Sequence, residues 1–435
     1  MSEVAIIGSG MAGCGASHRL REEGIDSVMY DMGDQPGGHT KTFEFEGGWT
    51  FDDGPHVSYT EDQRLQDLFS ANVGGDFNTV GNYVNNYWQG YWIKHPAQIN
   101  LHGLPTDLAV KCIEDFVQAS SRPDPVVTNY EEWLRAAFGD TFAETFPMTY
   151  APKVHTTEAR NLTTDWLGPR LYRPTLEEVL TGALSPSTGD VHYIGNFRYP
   201  NHGGFLSFIR PFHEQANLQM GHKVERIDAG ERIITFESGK QVRYDHLISS
   251  MPLPELIPRI EGVPEDVAAA AERLAASTIV TVNVGVNNPD ISEATWTYFY
   301  DEDFSITRIS HPHRMSPNTV PPGCGSIQAE VYFSKKYKPL TVPPESLIAP
   351  AVNDLRRCGL ITESDEVLFT SARVIDYAYI IWDHDRRPSL DLVHGFLDEI
   401  GIRYCGRYGN WDYSWTDDAF RSGESAAERV MEDMT

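Results

Sequence analysis

Apolar residues along this chain recur with more than one period, and glycines mark where the period changes. Val4–Ile7 is a continuous apolar run too short for a helix, which predicts a buried parallel strand. Gly8-Ser9-Gly10-Met11-Ala12-Gly13 follows at once and leads into a stretch with Ala16 and Leu20 on one helical face. Residues 27–30 predict a second strand, which ends at Asp31. Residues 61–75 predict a short helix, and residues 82–104 two aromatic-rich strands. Residues 106–150 read as mostly helical, with amphipathic stretches separated by Pro123 and Pro125. His202-Gly203-Gly204 precedes a further amphipathic helix. Beyond it the pattern predicts three strands: one starting at Val224, a hairpin at Ser238-Gly239, and residues 247–251 returning to the first sheet. Residues 256–394 alternate β-branched and aromatic positions, as a mixed sheet requires, and the chain closes with a strand, a glycine turn and a helix. No internal repeat, heptad run or low-complexity tract interrupts this order.

The strand–glycine–helix passage carries chemistry. In a G-x-G-x-x-G turn the first glycine permits the turn, the second lets backbone approach a pyrophosphate, and the third lets helix pack on strand. The pyrophosphate then meets the unpaired N–H groups at the helix start. Asp31, about 20 residues on, stands where an acid accepts from a ribose hydroxyl. The alternative is a plain βαβ turn with incidental glycines.

Composition narrows the picture. At 435 residues the chain exceeds what one core organises, so two or three subdomains are expected. A formal charge of −27 opposes nucleic acid or an anionic membrane as partner. A small anionic ligand stays open, because a few arginines dominate a pocket within a Debye length. No apolar run approaches the length of a membrane span, and the N-terminal patch lacks the basic flank of a signal peptide, so a cytoplasmic location is expected. Five scattered cysteines without C-x-x-C, and no H-E-x-x-H, give no reason to expect a disulfide framework or a metal site. Cys14 sits just inside the first helix, where a small side chain suits the turn. The HPH at 311–313 reads as a loop, and WQGYWIKH either packs as strand or stacks on a ring.

Asp31 is followed by MGDQPGGHTKTF and then by DDGPH, a passage that resembles the extended fingerprint of FAD-binding flavoproteins of the amine oxidase, protoporphyrinogen oxidase and UDP-galactopyranose mutase superfamily. The resemblance implies FAD as cofactor and an α/β fold. A Rossmann-like FAD-binding domain would be built from residues 1–75, 197–255 and 395–435. Residues 76–196 would form a mainly helical insertion and 256–394 a mixed-sheet substrate domain. The cofactor would be held by the 8–13 turn with Asp31, by Gly37, Gly38, His39 and Thr40, and by Gly54, Pro55 and His56. Val224, Met251, Gly406, Arg407, Thr416, Asp417 and Ala419 would complete its site, with Thr416 capping the closing helix toward the flavin.

Further stretches resemble UDP-galactopyranose mutases in particular. DDGPHVSYT is similar to the family's GAHxxHT loop, with His56 near the flavin; KVHTTEARNLTTDWLGPRLYRP brings Arg170 and Arg173 near two family arginines. SITRISHPH aligns Arg308, GRYGNWDYSW aligns Arg407 and Tyr413, and AYIIWD offers Tyr379. The family's second histidine is Tyr59 here, its EHK is Ser310-His311-Pro312, and the proline of its YP is Ile380. By this resemblance Arg173, Arg308, Arg407, Tyr379 and Tyr413 would hold the diphosphate of a nucleotide-diphosphate sugar and His56 would tune the flavin. An oxidoreductase of the amine oxidase or protoporphyrinogen oxidase type shares the FAD segments equally, and a flavin-binding protein without catalysis is a third possibility. Arginine suits phosphate through paired donors and permanent charge, though each one could instead serve an ordinary salt bridge.

Overall fold

Residues 3–123, 125–168, 171–188 and 195–435 are described by the computed structural model. Val4–Ile7 is the middle of a five-stranded parallel sheet, in the order Ile402–Tyr404, His246–Ser249, Val4–Ile7, Ser27–Tyr30, Asn217–Gln219. A strand flanked on both sides and covered on both faces has no use for polar alternation, which is why it reads as an unbroken apolar run. The edge strand Asn217–Gln219 carries no such run, so the pattern does not announce it.

One face of this sheet is covered by the first helix, Met11–Glu22, and the closing helix, Thr416–Asp433. The two cross with bare backbone in contact. A Cβ on Gly15 would lie 2.0 Å from the Phe420 carbonyl oxygen, and one on Gly423 would lie 1.9 Å from that of Ala12. Ala16, Leu20, Ala426, Ala427 and Val430 fill the rest of this layer. The other face packs on a three-stranded antiparallel sheet (Val224–Asp228, Ile233–Phe236, Gln241–Arg243) and on helices Glu265–Arg273 and Arg386–Glu399. Residues 224–251 thus hold four strands where the pattern predicts three. The first three form their own small sheet, and only His246–Ser249 rejoins the parallel one.

Helices Thr106–Ser120, Tyr130–Phe138, Asp140–Thr145, Pro147–Val154 and Leu176–Leu184 gather around Leu134, Phe138, Phe142 and Phe146. Their starts are marked locally: the Asn129 side chain accepts from the Glu132 N–H, and Thr175 and Glu178 form a reciprocal capping box.

The third body is a seven-stranded mixed sheet, in the order Val367–Ile375, Ser277–Val286, Gly325–Ser334, Arg308–Ser310, Trp296–Phe299, Val84–Trp88, Tyr91–Lys94. The Val84–Lys94 hairpin joins it by a parallel pairing with Trp296–Phe299, although the chain that follows is helical. WQGYWIKH therefore supplies a hairpin, with Trp88 stacked on Tyr91. The long strands Ser277–Val286 and Gly325–Ser334 are buried at every position, yet they alternate. Val280, Val282, Val284, Ile327, Ala329 and Val331 enter an apolar core closed by Ala351 and Leu355 of helix Ile348–Arg357. The opposite face carries Thr281, Asn283, Gln328, Glu330 and Tyr332, and a buried polar face must find partners. It finds some in the dinucleotide domain. Gln328 Nε2 donates to the Asp52 carbonyl at 2.9 Å, and Arg373 Nε reaches Asp53 Oδ1 at 3.4 Å. Among the described residues, no helix is long and apolar enough to cross a membrane.

Candidate functional site

The glycine turn builds the first half of the site. Gly8 takes φ +97° and donates its N–H to the Tyr30 carbonyl at 2.8 Å. A Cβ on Gly13 would lie 1.9 Å from the Gly8 carbonyl oxygen, so only glycine lets the helix seat on the strand. Gly10 is the N-cap, with no side-chain cap, and the first turn, Met11 and Ala12 included, holds no acid. The positive end of this helix is left for an external anion. Gly38 packs backbone to backbone on it, its Cβ position 3.1 Å from Gly10 Cα. Two stretches of bare backbone meeting at a free helix start fit a dinucleotide pyrophosphate.

Asp31 does more than wait for a ribose. Its Oδ2 accepts the Ser9 N–H (2.8 Å) and Oγ–H (2.6 Å), and its Oδ1 accepts the Gly33 N–H (2.8 Å). Of roughly four lone-pair sites on a carboxylate, these leave about one for a ribose hydroxyl. Beside it, the Thr40 hydroxyl donates to the Gly37 carbonyl (2.7 Å), and His39 Nδ1 lies 2.5 Å from the Tyr408 hydroxyl. Gly54 and Pro55 turn the chain so that His56 Nδ1 reaches back to the Gly54 carbonyl at 2.9 Å. The Val224 carbonyl accepts from Arg259 Nε (2.9 Å), the Met251 N–H reaches Ser249 Oγ (3.3 Å), and the Gly406 N–H reaches Ser422 Oγ (2.9 Å).

The closing helix differs from the first at its start. Its N-cap is Trp415, not Thr416, whose hydroxyl donates to the Val57 carbonyl at 3.4 Å. Asp418 accepts the Trp415 N–H (3.0 Å), Arg421 Nη2 lies 3.1 Å from the buried Asp417 carboxylate, and the Ala419 N–H returns to the Trp415 carbonyl. Negative charge is therefore already present at this helix start, and burial raises the Asp417 pKa. Tyr59, in place of a histidine, sets its ring against Trp415 at 6.1 Å.

The second half of the site lies on the polar face of the mixed sheet. The register sets Tyr298 opposite Arg308 and Arg308 opposite Glu330. Arg308 donates to Glu330 through Nε (2.9 Å) and Nη2 (2.7 Å), and Nη2 also donates to the Tyr379 hydroxyl (2.9 Å). The Tyr332 hydroxyl donates to the same carboxylate at 2.6 Å. Arg407 stands 5.3 Å from the Tyr379 ring and 5.8 Å from that of Tyr413, which in turn lie 5.7 Å apart. Its donors reach the Ser414 and Ala378 carbonyls, which are neutral, so its charge is not cancelled there. Burial and the positive field of Arg407 lower the pKa of His39 to about 3 and that of His56 to about 4, so both imidazoles are neutral at physiological pH.

His56, Arg308, Tyr379 and the Arg407–Tyr413 stretch, drawn from separate parts of the chain, thus come together next to the glycine turn. Arg173 is exposed on the loop before Leu176–Leu184, and Arg170 lies outside the described residues. The sequence pattern did not single out Tyr298, Glu330, Tyr332 or Tyr150, whose ring lies 5.8 Å from that of Tyr298. A signal existed for Glu330, a lone acid inside the apolar alternation of GSIQAEVYFS that could not be buried without a cation. Lys153 donates to the Asp301 carbonyl (2.6 Å), with burial lowering its pKa to about 8. The HPH segment is no loop: His311 is fully buried and opens the short helix Pro312–Met315.

Residues 6–72 match the NAD(P)-binding Rossmann-like domain family. A crystal structure of reduced UDP-galactopyranose mutase superposes with a TM-score of 0.93 at 27% identity, over 99% of this chain and 96% of that one. The chain has the fold of the FAD-dependent mutase and oxidase superfamily. Two further structures share the fold alone. One is a protein from an Exiguobacterium species assigned as a protoporphyrinogen oxidase (TM-score 0.77, 15% identity, 99% of each chain). The other is cyclohexylamine oxidase from Brevibacterium oxydans (0.68, 14%, 100% of this chain and 99% of that one). The cofactor of this flavoenzyme fold is FAD, which the glycine-lined cleft fits.

Proposed function

We propose that the protein interconverts the pyranose and furanose forms of a nucleoside-diphosphate sugar. The observation that carries this reading is the cluster beside the dinucleotide cleft in which Arg308, on the buried polar face of a sheet whose other face is ordinary core, meets Tyr379, and Arg407 stands against Tyr379 and Tyr413. Full-length likeness to a reduced UDP-galactopyranose mutase supports it. Reduced FAD, when bound, supplies a nucleophile for the anomeric carbon of the sugar. The residues of this chain bind and orient. Arg407 offers a charge that, among the described residues, is bonded to the neutral Ser414 and Ala378 carbonyls, and the hydroxyls of Tyr379 and Tyr413 add neutral groups for phosphate oxygens. His39 and His56, neutral, add no positive charge to that of the arginines, and His56, its Nδ1 proton donated to the Gly54 carbonyl, presents Nε2 as an acceptor.

A second reading, an FAD-dependent oxidoreductase of the amine oxidase or protoporphyrinogen oxidase type, is favoured by one observation. Glu330 neutralises Arg308, so the site holds less net positive charge than two arginines imply. The test is to reduce the bound flavin with dithionite and titrate UDP and UDP-sugars, following flavin absorbance and product sugars. Turnover that requires reduced flavin and consumes no electrons supports the mutase. Absence of UDP binding in both redox states sinks it, and hydride acceptance from an amine establishes the oxidase.

A further inference from the structure

We propose that His213 is a positioning residue for the cofactor pyrophosphate, fixing the Ser9–Gly10 peptide so that the Gly10 N–H faces the cleft. His213 lies on the short helix Arg210–Gln215 that follows the His202-Gly203-Gly204 turn, far in sequence from the first helix, and is buried. Its Nε2 is 2.8 Å from the Ser9 carbonyl oxygen and 3.2 Å from Cys14 Sγ. A carbonyl only accepts, so Nε2 carries the proton. Nδ1 is buried without a partner among the described residues, and burial lowers the pKa, so the ring is neutral. The Cys14 thiol, buried and held neutral, turns toward the same carbonyl with Sγ at 3.7 Å.

This holds the Ser9 carbonyl toward the interior. In a trans, planar peptide the C=O and the following N–H point in opposite directions, so the Gly10 N–H is turned outward at the uncapped helix start. On the other side of Ser9, its N–H and hydroxyl are tied to Asp31. Both peptides around Ser9 are therefore set before any ligand arrives, and a donor already aimed needs no reorganisation to meet an anion. The histidine, a residue of the second FAD-domain segment, so completes an anion site that the first segment alone leaves free to rotate.

The test compares H213Q, whose side-chain amide can donate at the position of Nε2, with H213M, of similar length but without a donor. FAD affinity is measured on protein stripped of flavin and titrated with FAD, following flavin fluorescence, with the melting temperature of the flavin-free form recorded in parallel. H213M is expected to bind FAD roughly 10- to 100-fold more weakly, the range for a hydrogen bond to a charged group, while H213Q stays within about threefold of the natural protein. A purely structural role would lower the flavin-free melting temperature and leave the FAD affinity of the folded fraction unchanged, which overturns the proposal. So does equal loss in both variants. If H213M does not fold, H213N, polar but too short to reach Ser9, takes its place with the same expectation. Failure of the natural protein to bind FAD would remove the cofactor assignment itself, a separate and recognisable outcome.

Discussion

The two faces of the seven-stranded sheet are equally hidden from water and chemically opposite. One is valine, isoleucine and alanine packed under a helix; its burial is self-sufficient, since apolar area removed from water is stabilising without partners. The other is threonine, asparagine, glutamine, glutamate and tyrosine, and is tolerable because Asn283, Gln328, Glu330 and Tyr332 each meet a donor, an acceptor or a charge, while the Thr281 hydroxyl is buried without a partner among the described residues. The difference teaches where to look for function. A stable sheet does not need a polar inner face, so one that exists and carries a buried ion pair marks the side on which the candidate site is sought.

The comparison can be broken most severely at Glu330. Glu330→Ala leaves Arg308 unpaired in the interior and should lower unfolding free energy by about 3–5 kcal/mol, measured by urea denaturation. A loss below about 1 kcal/mol would mean that the polar face does not depend on the pair. On the apolar face, Ile327→Ala should lower stability by about 2–5 kcal/mol while flavin absorbance and FAD affinity stay unchanged. A shifted flavin spectrum would show that the faces are not independent.

The seam between the polar face and the dinucleotide domain is sensitive to pH. Asp52, buried, accepts from Thr42, Tyr199 and the Phe205 N–H, yet burial still raises its pKa to about 6. With the folded pKa above the unfolded value of about 3.9, the folded state holds an extra proton between them. Stability linked to this group is therefore fully present below about pH 4 and lost as pH rises through 6, by about 3 kcal/mol. Asp52→Asn should flatten that part of the stability–pH curve, and an unchanged slope would refute the assignment. The smallest effect is expected for Tyr379→Phe, which removes one hydrogen bond to Arg308 and should lower stability by about 1 kcal/mol. A larger effect on ligand titration than on stability would tie the phenol to binding.

The dinucleotide half of the site was legible because it is local. Glycines, strand and helix lie within about thirty residues, and Gly13 answers to a clash inside that segment, with the Gly8 carbonyl, whereas the Ser250 and Phe420 neighbours that require Gly8 and Gly15 come from far along the chain. The closing helix was legible too, but its cap was misplaced by one residue. Thr416 has the usual capping side chain, while the cap is Trp415, extended in its backbone and donating its N–H to the Asp418 carboxylate. The hairpin of residues 84–94 read correctly as strand, but nothing local tells to which sheet a hairpin belongs. Tyr298 and Tyr332 looked like ordinary strand aromatics, since only cross-strand register places them around Arg308 and Glu330. His213 is one histidine on a short helix until the fold sets it against Ser9.

By itself the sequence determined the parts whose physics is contained in a short window. These are the parallel strand, the phosphate-binding turn, the amphipathic helices and the alternation that gives the long strands one apolar and one polar face. Tertiary structure alone decided which charges meet. Arg308 is neutralised by Glu330, whereas Arg407, among the described residues, is bonded to the Ser414 and Ala378 carbonyls, and nothing in the sequence around either arginine foretells that difference. Electrostatic interaction depends on distance and burial in space, and sequence separation carries neither.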